Sequence, residues 1–206
     1  MNEITAITAQ TKDKNRCNVY VDGRFCCGLR VETVVKNRLK VGCVITPETL
    51  AEMQLESEKN SAFDKALTHL SATRKTEKEI RCFLQKKGYL PAVADYVLKK
   101  LRGYGFLNDG EYAQSYVEFA AKRKGGRLIR MELKNKGVAD AEIDGALDGL
   151  DEQTELQTAK KLLEKYMRGK TADVTTLQKA YRHLLGKGFS YEVAKSALSD
   201  FGMEED

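Results

Sequence analysis

The segment Ile129-Arg130-Met131-Glu132-Leu133-Lys134-Asn135-Lys136-Gly137 decides the fold, because its pattern occurs three times in the chain. Apolar residues lie eight and four positions before the glycine, so they share one face of a helix. A glycine directly after a helix supplies the left-handed backbone that ends it. The same pattern precedes Gly88 and Gly188, at spacings of 49 and 51 residues. The chain therefore contains internal repeats.

Alignment on these glycines brings further residues of the same class into register. The positions eight and four before the glycine are Ile80 and Leu84, Ile129 and Leu133, and Ala180 and Leu184; the positions nine, ten and thirteen after it are Val97, Leu98 and Leu101, Ala146, Leu147 and Leu150, and Ala197, Leu198 and Phe201. A helix after each glycine is predicted to start from Pro91, Asp140 or Ser190, which are residues typical of helix starts.

One more helix is predicted before each of these pairs. Thr46-Pro47-Glu48 opens the first, Asn108 with Glu111 forms a capping box for the second, and the third covers about 152–168. The fold class is therefore mostly α, with three tandem three-helix-bundle repeats at 47–108, 109–151 and 152–206 that form a curved array. In the second repeat, Tyr112, Tyr116 and Phe119 are predicted to form the core stripe of one helix.

Residues 1–46 are predicted to form a small β-rich extension. Asp22-Gly23 is a strong hairpin signal, because a type I′ turn needs positive φ at both positions. This turn pairs Val19 with Cys26 and Tyr20 with Phe25. We expect the aromatic pair to pack on the next helix; an exposed aromatic platform is the alternative.

Several classes of function find no support in the sequence. Phosphate-binding P-loops and His-Glu-x-x-His zinc motifs do not occur, Cys-x-x-Cys pairs are missing, and only two histidines are present. We therefore predict no catalytic site, no metal and no cofactor. No apolar run could span a membrane, so we expect a cytoplasmic protein. Gly125-Gly126 opens a helix whose N-terminus could seat a phosphate.

The net charge of +5 is unevenly distributed, and residues 71–108 carry nine basic against three acidic groups. Matching positions of consecutive repeats tend to line one surface. Positions ten, seven and three before the glycine are basic in the first two repeats, except for Gln85, and the preceding turn adds three cations. The predicted basic strip therefore consists of Lys78, Arg81, Lys122, Arg123, Lys124, Arg127, Arg130 and Lys134. Gln178, Tyr181 and Leu185 replace the basic residues in the third repeat, where we expect the strip to fade.

The tandem Leu-x-x-Lys-Gly units, the segment Gly105-Phe106-Leu107-Asn108-Asp109-Gly110-Glu111-Tyr112-Ala113 and the segment from Gly126 to Gly137 resemble the RecX family of bacterial regulators of the RecA recombinase. The resemblance covers about residues 60–200, and the N-terminal extension is similar to that of longer members. Asn108 stands where the family pattern has aspartate, and both residues cap helices well.

This resemblance implies a regulator, chiefly an inhibitor, that binds RecA filaments on single-stranded DNA and lodges in their helical groove. It implies restraint of filament growth, ATP hydrolysis and strand exchange, within DNA recombination, DNA repair and the SOS response. It also implies weak binding to single-stranded DNA alone, and we expect a monomer. Two alternatives stay open: direct nucleic-acid binding through the basic strip without a recombinase, and a helical scaffold for another protein.

Overall fold

Three strands and ten helices follow one another along residues 2–11 and 13–199, which the computed structural model describes. They are β1 (Ile4–Ala9), β2 (Arg16–Val21), β3 (Arg24–Arg30), α1 (Val31–Lys36), α2 (Pro47–Ala72), α3 (Glu77–Lys86), α4 (Pro91–Gly103), α5 (Asp109–Ala120), α6 (Gly126–Asn135), α7 (Asp140–Leu147), α8 (Glu152–Met167), α9 (Val174–Gly186) and α10 (Tyr191–Leu198). The mostly helical fold with an N-terminal sheet is confirmed.

The chain forms two compact units. The first comprises the chain up to Arg74 together with Ile80–Phe106, and the second comprises Lys75–Glu79 together with the chain from Leu107 onward. The first unit thus holds the sheet and most of the first repeat. The second unit holds the other two repeats and the short segment that opens α3.

The N-terminal sheet is antiparallel, in the order β1-β2-β3. Asp22 and Gly23 have φ of 49° and 79°, as a type I′ turn requires. One face of the sheet is buried, with Ile4, Val19 and Leu29 fully inaccessible, and Leu50 of α2 belongs to the same core. The sheet therefore packs on α2, as a small sheet needs such a partner to be stable.

Two details of this sheet differ from the prediction. Val19 pairs with Cys27 and not with Cys26, because a bulge follows the Tyr20–Phe25 pair. The bulge turns Cys27 inward and leaves Cys26 exposed. The prediction that the aromatic pair packs on the next helix is also wrong for Phe25: its ring meets Tyr20 edge-on at 5.9 Å, but 59% of Phe25 is exposed.

Each repeat has the predicted helix–glycine–helix core. Gly88, Gly137 and Gly188 have φ of 85°, 87° and 88°. The residue after each glycine donates its N–H to the carbonyl of the leucine that lies four positions before that glycine. These hydrogen bonds measure 3.1–3.3 Å, and each closes a Schellman turn. The residues eight and four before each glycine are fully buried in all three repeats.

The apolar positions after the glycine are less uniform. Val97, Leu98, Leu101, Ala197 and Leu198 are fully buried. The positions in the short helix α7 and just after it, Ala146, Leu147 and Leu150, are only half-buried, and Ile143 fills the core instead. Phe201 lies outside the described residues.

The helix caps mostly follow the sequence. Thr46, Asn108 and Ser190 accept the N–H of the residue three positions later, and Asn108 also hydrogen-bonds the Glu111 side chain at 3.0 Å. The prediction that Asp140 caps its helix is wrong, because Asp140 is the first residue of α7 and Ala139 occupies the cap position. The Asp140 carboxylate instead pairs with Lys134 at 2.9 Å.

One of the three residues predicted to form the aromatic core stripe of α5, Phe119, does not lie in the core. The helix buries Ala113, Val117 and Ala120, whereas Phe119 is 68% exposed. Tyr112 and Tyr116 are half-buried at the edge of this core. Small residues are buried here because the neighbouring helix α7 approaches α5 closely.

One docking contact recurs in the second unit, at the N-termini of α3 and α6. Thr76 Oγ1 donates to the Lys136 carbonyl at 2.7 Å, and the next residue donates its N–H to the Asp109 carboxylate at 2.9 Å. In the next repeat, Gly125 and Gly126 occupy the positions that Thr76 and Glu77 occupy in the first. Their N–H groups donate to the Lys187 carbonyl at 2.9 Å and to the Glu155 carboxylate at 2.5 Å.

Both contacts join a helix N-terminus to a Lys-Gly turn and a carboxylate farther along the chain. The carboxylate accepts an N–H group that would otherwise lack a partner at the helix N-terminus. The hypothesis that Gly125-Gly126 seats a phosphate therefore finds no support, because Glu155 already accepts the N–H that would bind it.

We expect Gly125→Ala to lower the free energy of unfolding by about 1–3 kcal/mol. The backbone of Gly125 is extended, so alanine is conformationally acceptable there. However, an added Cβ would lie 2.4 Å from the Gly188 carbonyl oxygen. Gly145→Ala in α7 is the matched control: its Cβ meets open space, and helix propensity predicts a gain of up to about 1 kcal/mol. Equal denaturation midpoints for the two variants would contradict this assignment.

Two carboxylates should give opposite pH dependences. Burial raises the pKa of Asp109, so its contribution to stability is full below the unfolded pKa and is lost as pH rises through the folded value. A hydrogen bond from the Thr176 N–H lowers the pKa of Asp173, so its contribution appears as pH rises. In thermal unfolding from acidic to neutral pH, Asp109→Asn should gain stability relative to the parent as pH rises, whereas Asp173→Asn should lose it. The same sign for both variants would refute the two assignments.

Candidate functional site

The turn between α5 and α6 presents two cations to solvent. Lys122 and Arg123 are exposed, and the Arg123 N–H donates to the Ala120 carbonyl at 2.9 Å, which fixes the turn after the helix end. Within residues 2–11 and 13–199, neither side chain forms an ion pair. These two residues are the most available cations of the predicted basic strip.

Lys124, two residues later in the sequence than Lys122, is engaged inside its own repeat. Its ammonium lies 2.6 and 2.7 Å from the two carboxylate oxygens of Glu132, which also accepts a 2.7 Å hydrogen bond from the Tyr116 hydroxyl. The hydrogen bond to Glu132 raises the pKa of Lys124. The geometry thus makes Lys124 a structural cation that ties the turn to α6.

Arg81 and Arg130 occupy the same repeat position and have the same kind of partner. Each lies seven residues before its glycine and forms an ion pair with an aspartate seven residues after it, Asp95 in the first repeat and Asp144 in the second. The Arg130–Asp144 distance is 2.5 Å. Both pairs are open to solvent, so each contributes only about 0.2–1 kcal/mol to stability.

The two lysines at the other strip positions bind groups at the end of α6 and at the start of α7. Lys78 donates to the Asn135 carbonyl at 2.9 Å, and Lys134 pairs with Asp140 at 2.9 Å. Lys78 also lies against Gly137, where an added Cβ would come within 2.6 Å of the lysine side chain. Lys78 is therefore a packing residue as well as a cation.

Arg127 combines a cation with an aromatic ring. Its guanidinium carbon lies 5.1 Å from the centre of the Tyr191 ring, and both side chains are exposed. Stacking of this kind holds the guanidinium plane, and the Glu192 carboxylate lies near enough to interact with its charge. Tyr191 begins α10, so the third repeat contributes to the site although it has no strip cation of its own.

The strip therefore separates into three groups. Lys122, Arg123 and Arg127 are exposed and form no ion pair among the described residues. Arg81, Lys124, Arg130 and Lys134 face carboxylates, and Lys78 binds a backbone carbonyl. Sequence reasoning placed the cations but missed their acidic partners. The signal was present in the alignment, because the position seven after the glycine is Asp95, then Asp144, then Lys195.

Comparison with known proteins identifies the family. The family model for the Regulatory protein RecX N-terminal domain matches residues 2–46, and those for the first, second and third three-helix domains of RecX match 62–101, 108–147 and 153–198. A regulatory protein RecX of Clostridium perfringens (strain 13) is 34% identical over 96% of this chain and 95% of its own length. The chain belongs to the RecX family.

Other RecX proteins agree over similar lengths. The Bacillus licheniformis protein is 32% identical over the whole of this chain and 80% of its own length. A crystal structure of a regulatory protein RecX superposes with a TM-score of 0.72 at 29% identity, covering 97% of this chain and all of that chain. The structure of RecX from Lactobacillus salivarius gives a TM-score of 0.65 at 25% identity, over 71% of this chain and 98% of that chain.

As a member of the RecX family, the chain is a regulatory protein. Within the described residues, no cluster of histidine, cysteine and acidic side chains is suited to a metal ion. The described helices are each too short or too polar to cross a membrane. The chemistry that the exposed cations offer is the binding of anions, above all phosphates.

Asp144→Asn should strengthen binding to single-stranded DNA, because it releases the Arg130 guanidinium for a phosphate. One more phosphate contact steepens the dependence of log affinity on log salt by about 0.7 for a single strand. Asp148→Asn is the control, since it removes the same charge from an exposed residue for which no strip partner is seen. Binding isotherms at several salt concentrations measure the slope. An equal gain in both variants would mean that net charge, and not Arg130, sets the affinity.

Proposed function

We propose that this chain regulates RecA recombinase by binding the RecA filament on single-stranded DNA, chiefly as an inhibitor. The observation that carries the proposal is the succession of all four RecX domains along residues 2–198, in one chain and in order. The proposed consequences are limited filament growth, ATP hydrolysis and strand exchange, in DNA recombination, DNA repair and the SOS response. The proposed location is the cytoplasm.

The geometry of the second unit supports a filament as the partner. Backbone hydrogen bonds and carboxylate-capped helix ends join its helices, so a surface that crosses them keeps its shape. A regular filament repeats its features at fixed distances, and a preorganised surface binds such a target with less loss of entropy. The exposed Lys122, Arg123 and Arg127 would meet its acidic groups.

The charge distribution supports weak binding to DNA alone. Four of the eight strip cations face carboxylates, and each would have to give up that carboxylate in order to bind a phosphate. A cation that must give up a carboxylate gains little free energy by binding a phosphate, compared with a cation that has no partner to lose. In this proposal the contact with RecA supplies most of the affinity, and the protein acts as a monomer without catalysis or cofactor.

The test is the single-stranded-DNA-dependent ATP hydrolysis of RecA, with this protein added from well below the RecA concentration up to equality. We expect inhibition at substoichiometric amounts, because one bound molecule can stop the extension of a whole filament. The inhibition should survive salt that abolishes binding of the protein to DNA alone. Absence of inhibition would refute the proposal; with tight, salt-sensitive DNA binding it would favour direct nucleic-acid binding through the strip.

Charge reversal at the unpaired cations should weaken this inhibition. We expect the triple variant Lys122→Glu, Arg123→Glu and Arg127→Glu to need at least about tenfold more protein for half-inhibition, since electrostatic contacts at a binding surface set both attraction and register. The control replaces Lys161, Lys165 and Lys179, which are exposed on α8 and α9 of the same unit, with glutamate. Equal inhibition by the two triple variants would remove the strip from the proposed interface.

A further inference from the structure

An exposed surface of the first unit alternates aromatic rings with lysines. Tyr96 and Lys100 of α4 and Tyr104, the C-cap residue of that helix, follow one another at four-residue spacing, and so share one face. Lys59 and Phe63 have the same spacing on α2. The buried face of α4, formed by Val93, Ala94, Val97, Leu98 and Leu101, lies next to this row, whereas Tyr96 and Tyr104 are exposed. The aromatic residues of α4 therefore do not belong to its core.

Side chains of α2 contact those of α4 and of the turn that follows it. The Lys59 ammonium lies 4.8 Å from the centre of the Tyr96 ring, and the Lys100 ammonium lies 4.4 Å from that of Phe63. The Phe63 ring is 6.0 Å from the Tyr104 ring, which is 6.0 Å from the Phe106 ring. We call these six residues, Lys59, Phe63, Tyr96, Lys100, Tyr104 and Phe106, the aromatic–lysine ladder.

The end of the ladder is both open and rigid. Tyr104 and Phe106 are 60% and 56% exposed, although they are large aromatic residues. Between them Gly105 adopts φ of 71°, and the Phe106 N–H donates to the Leu101 carbonyl at 3.0 Å. This is a Schellman turn, which fixes the backbone on both sides of the glycine. The two rings are thus held apart from the core by the helix end itself.

Most of the acids near the ladder in the chain are already paired. On α2, Glu56 pairs with Lys36 at 2.5 Å and Asp64 with Arg30 at 2.6 Å, whereas Glu58, next to Lys59, forms no ion pair among the described residues. Asp95, beside Tyr96, pairs with Arg81. Exposed ring faces among lysines are the combination by which proteins hold single strands of nucleic acid.

We propose that the aromatic–lysine ladder is a stacking site for the bases of single-stranded nucleic acid. Tyr104 and Phe106 would stack on bases, while Lys59 and Lys100 would meet phosphates. The part on α4 spans eight residues, or about 12 Å, which is the length of a few stacked bases. This site deepens the proposed contact with single-stranded DNA. It lies in the first unit and shares no residue with the basic strip.

The first test measures binding of the full chain, without RecA, to oligothymidylate and to an abasic oligomer with the same number of phosphates. We expect tighter binding to oligothymidylate. The double variant Tyr104→Ala and Phe106→Ala should lose about tenfold or more of that affinity and little of the affinity for the abasic oligomer. Because both side chains are more than half exposed, the variant should fold, which circular dichroism checks.

Two controls separate stacking from general effects. Phe119→Ala removes an exposed ring from α5 of the second unit and should leave both affinities unchanged. Tyr104→Phe retains the ring and should bind as the parent does. Equal parental binding to the two oligomers would overturn the proposal, as would unchanged binding of the double variant; the latter outcome would point to a protein partner for this surface.

The second test places a reporter in the ladder. The chain has no tryptophan, so Phe106→Trp introduces a single fluorophore whose indole would stack as the phenyl ring does. We expect oligothymidylate to quench its fluorescence and the abasic oligomer to leave it nearly unchanged. Phe119→Trp should respond to neither. Neither test contains RecA, so failure here leaves filament regulation intact, and failure of RecA inhibition leaves this site intact.

Discussion

The left-handed glycine at the end of each middle helix is the constraint on which the repeats depend. Gly88, Gly137 and Gly188 all need positive φ, but they differ in their surroundings. A Cβ at Gly137 or Gly188 would lie within 2.6 Å of Lys78 or 2.3 Å of Leu128, whereas at Gly88 it would meet nothing. The second and third glycines therefore serve twice, as helix stops and as contact surfaces for a helix N-terminus. The first glycine serves only as a stop, because no repeat precedes it.

The carboxylates at these contacts explain why docking is specific. A helix N-terminus exposes N–H groups that need acceptors, and the Lys-Gly turn offers free carbonyls at a helix C-terminus. Asp109 and Glu155 complete each contact by accepting one of these N–H groups. Lys136 adds a further tie, since its ammonium lies 2.9 Å from Glu79. Burial alone would raise the pKa of Glu79, but hydrogen bonds from Lys136 and the Thr76 N–H bring it below its ordinary value. This carboxylate therefore stays charged where it is needed.

Sequence was sufficient for features that depend on neighbouring residues. The three glycine turns, the caps at Thr46, Asn108 and Ser190, and the Asp22-Gly23 hairpin all follow from local backbone preferences, and all are confirmed. It was insufficient where distant segments meet. The bulge at Cys26, the exposure of Phe119 and the carboxylate that fills the N-terminus of α6 depend on which element packs against which. The same reason explains the candidate site: the cations were visible in the sequence, but their partners Asp95 and Asp144 lie on another helix.

The two proposed surfaces would recognise different parts of a nucleic acid. Cations such as Lys122 and Arg123 interact with phosphates, which single and double strands both present, so the strip by itself cannot distinguish them. The ring faces of Tyr104 and Phe106 need a base that is free to stack, and in a duplex each base face is already covered by its neighbours. In this proposal, selectivity for single strands would come from the ladder, while the strip would contribute affinity that declines with salt. Single-strand preference would then persist at salt concentrations where the contribution of the strip has become small.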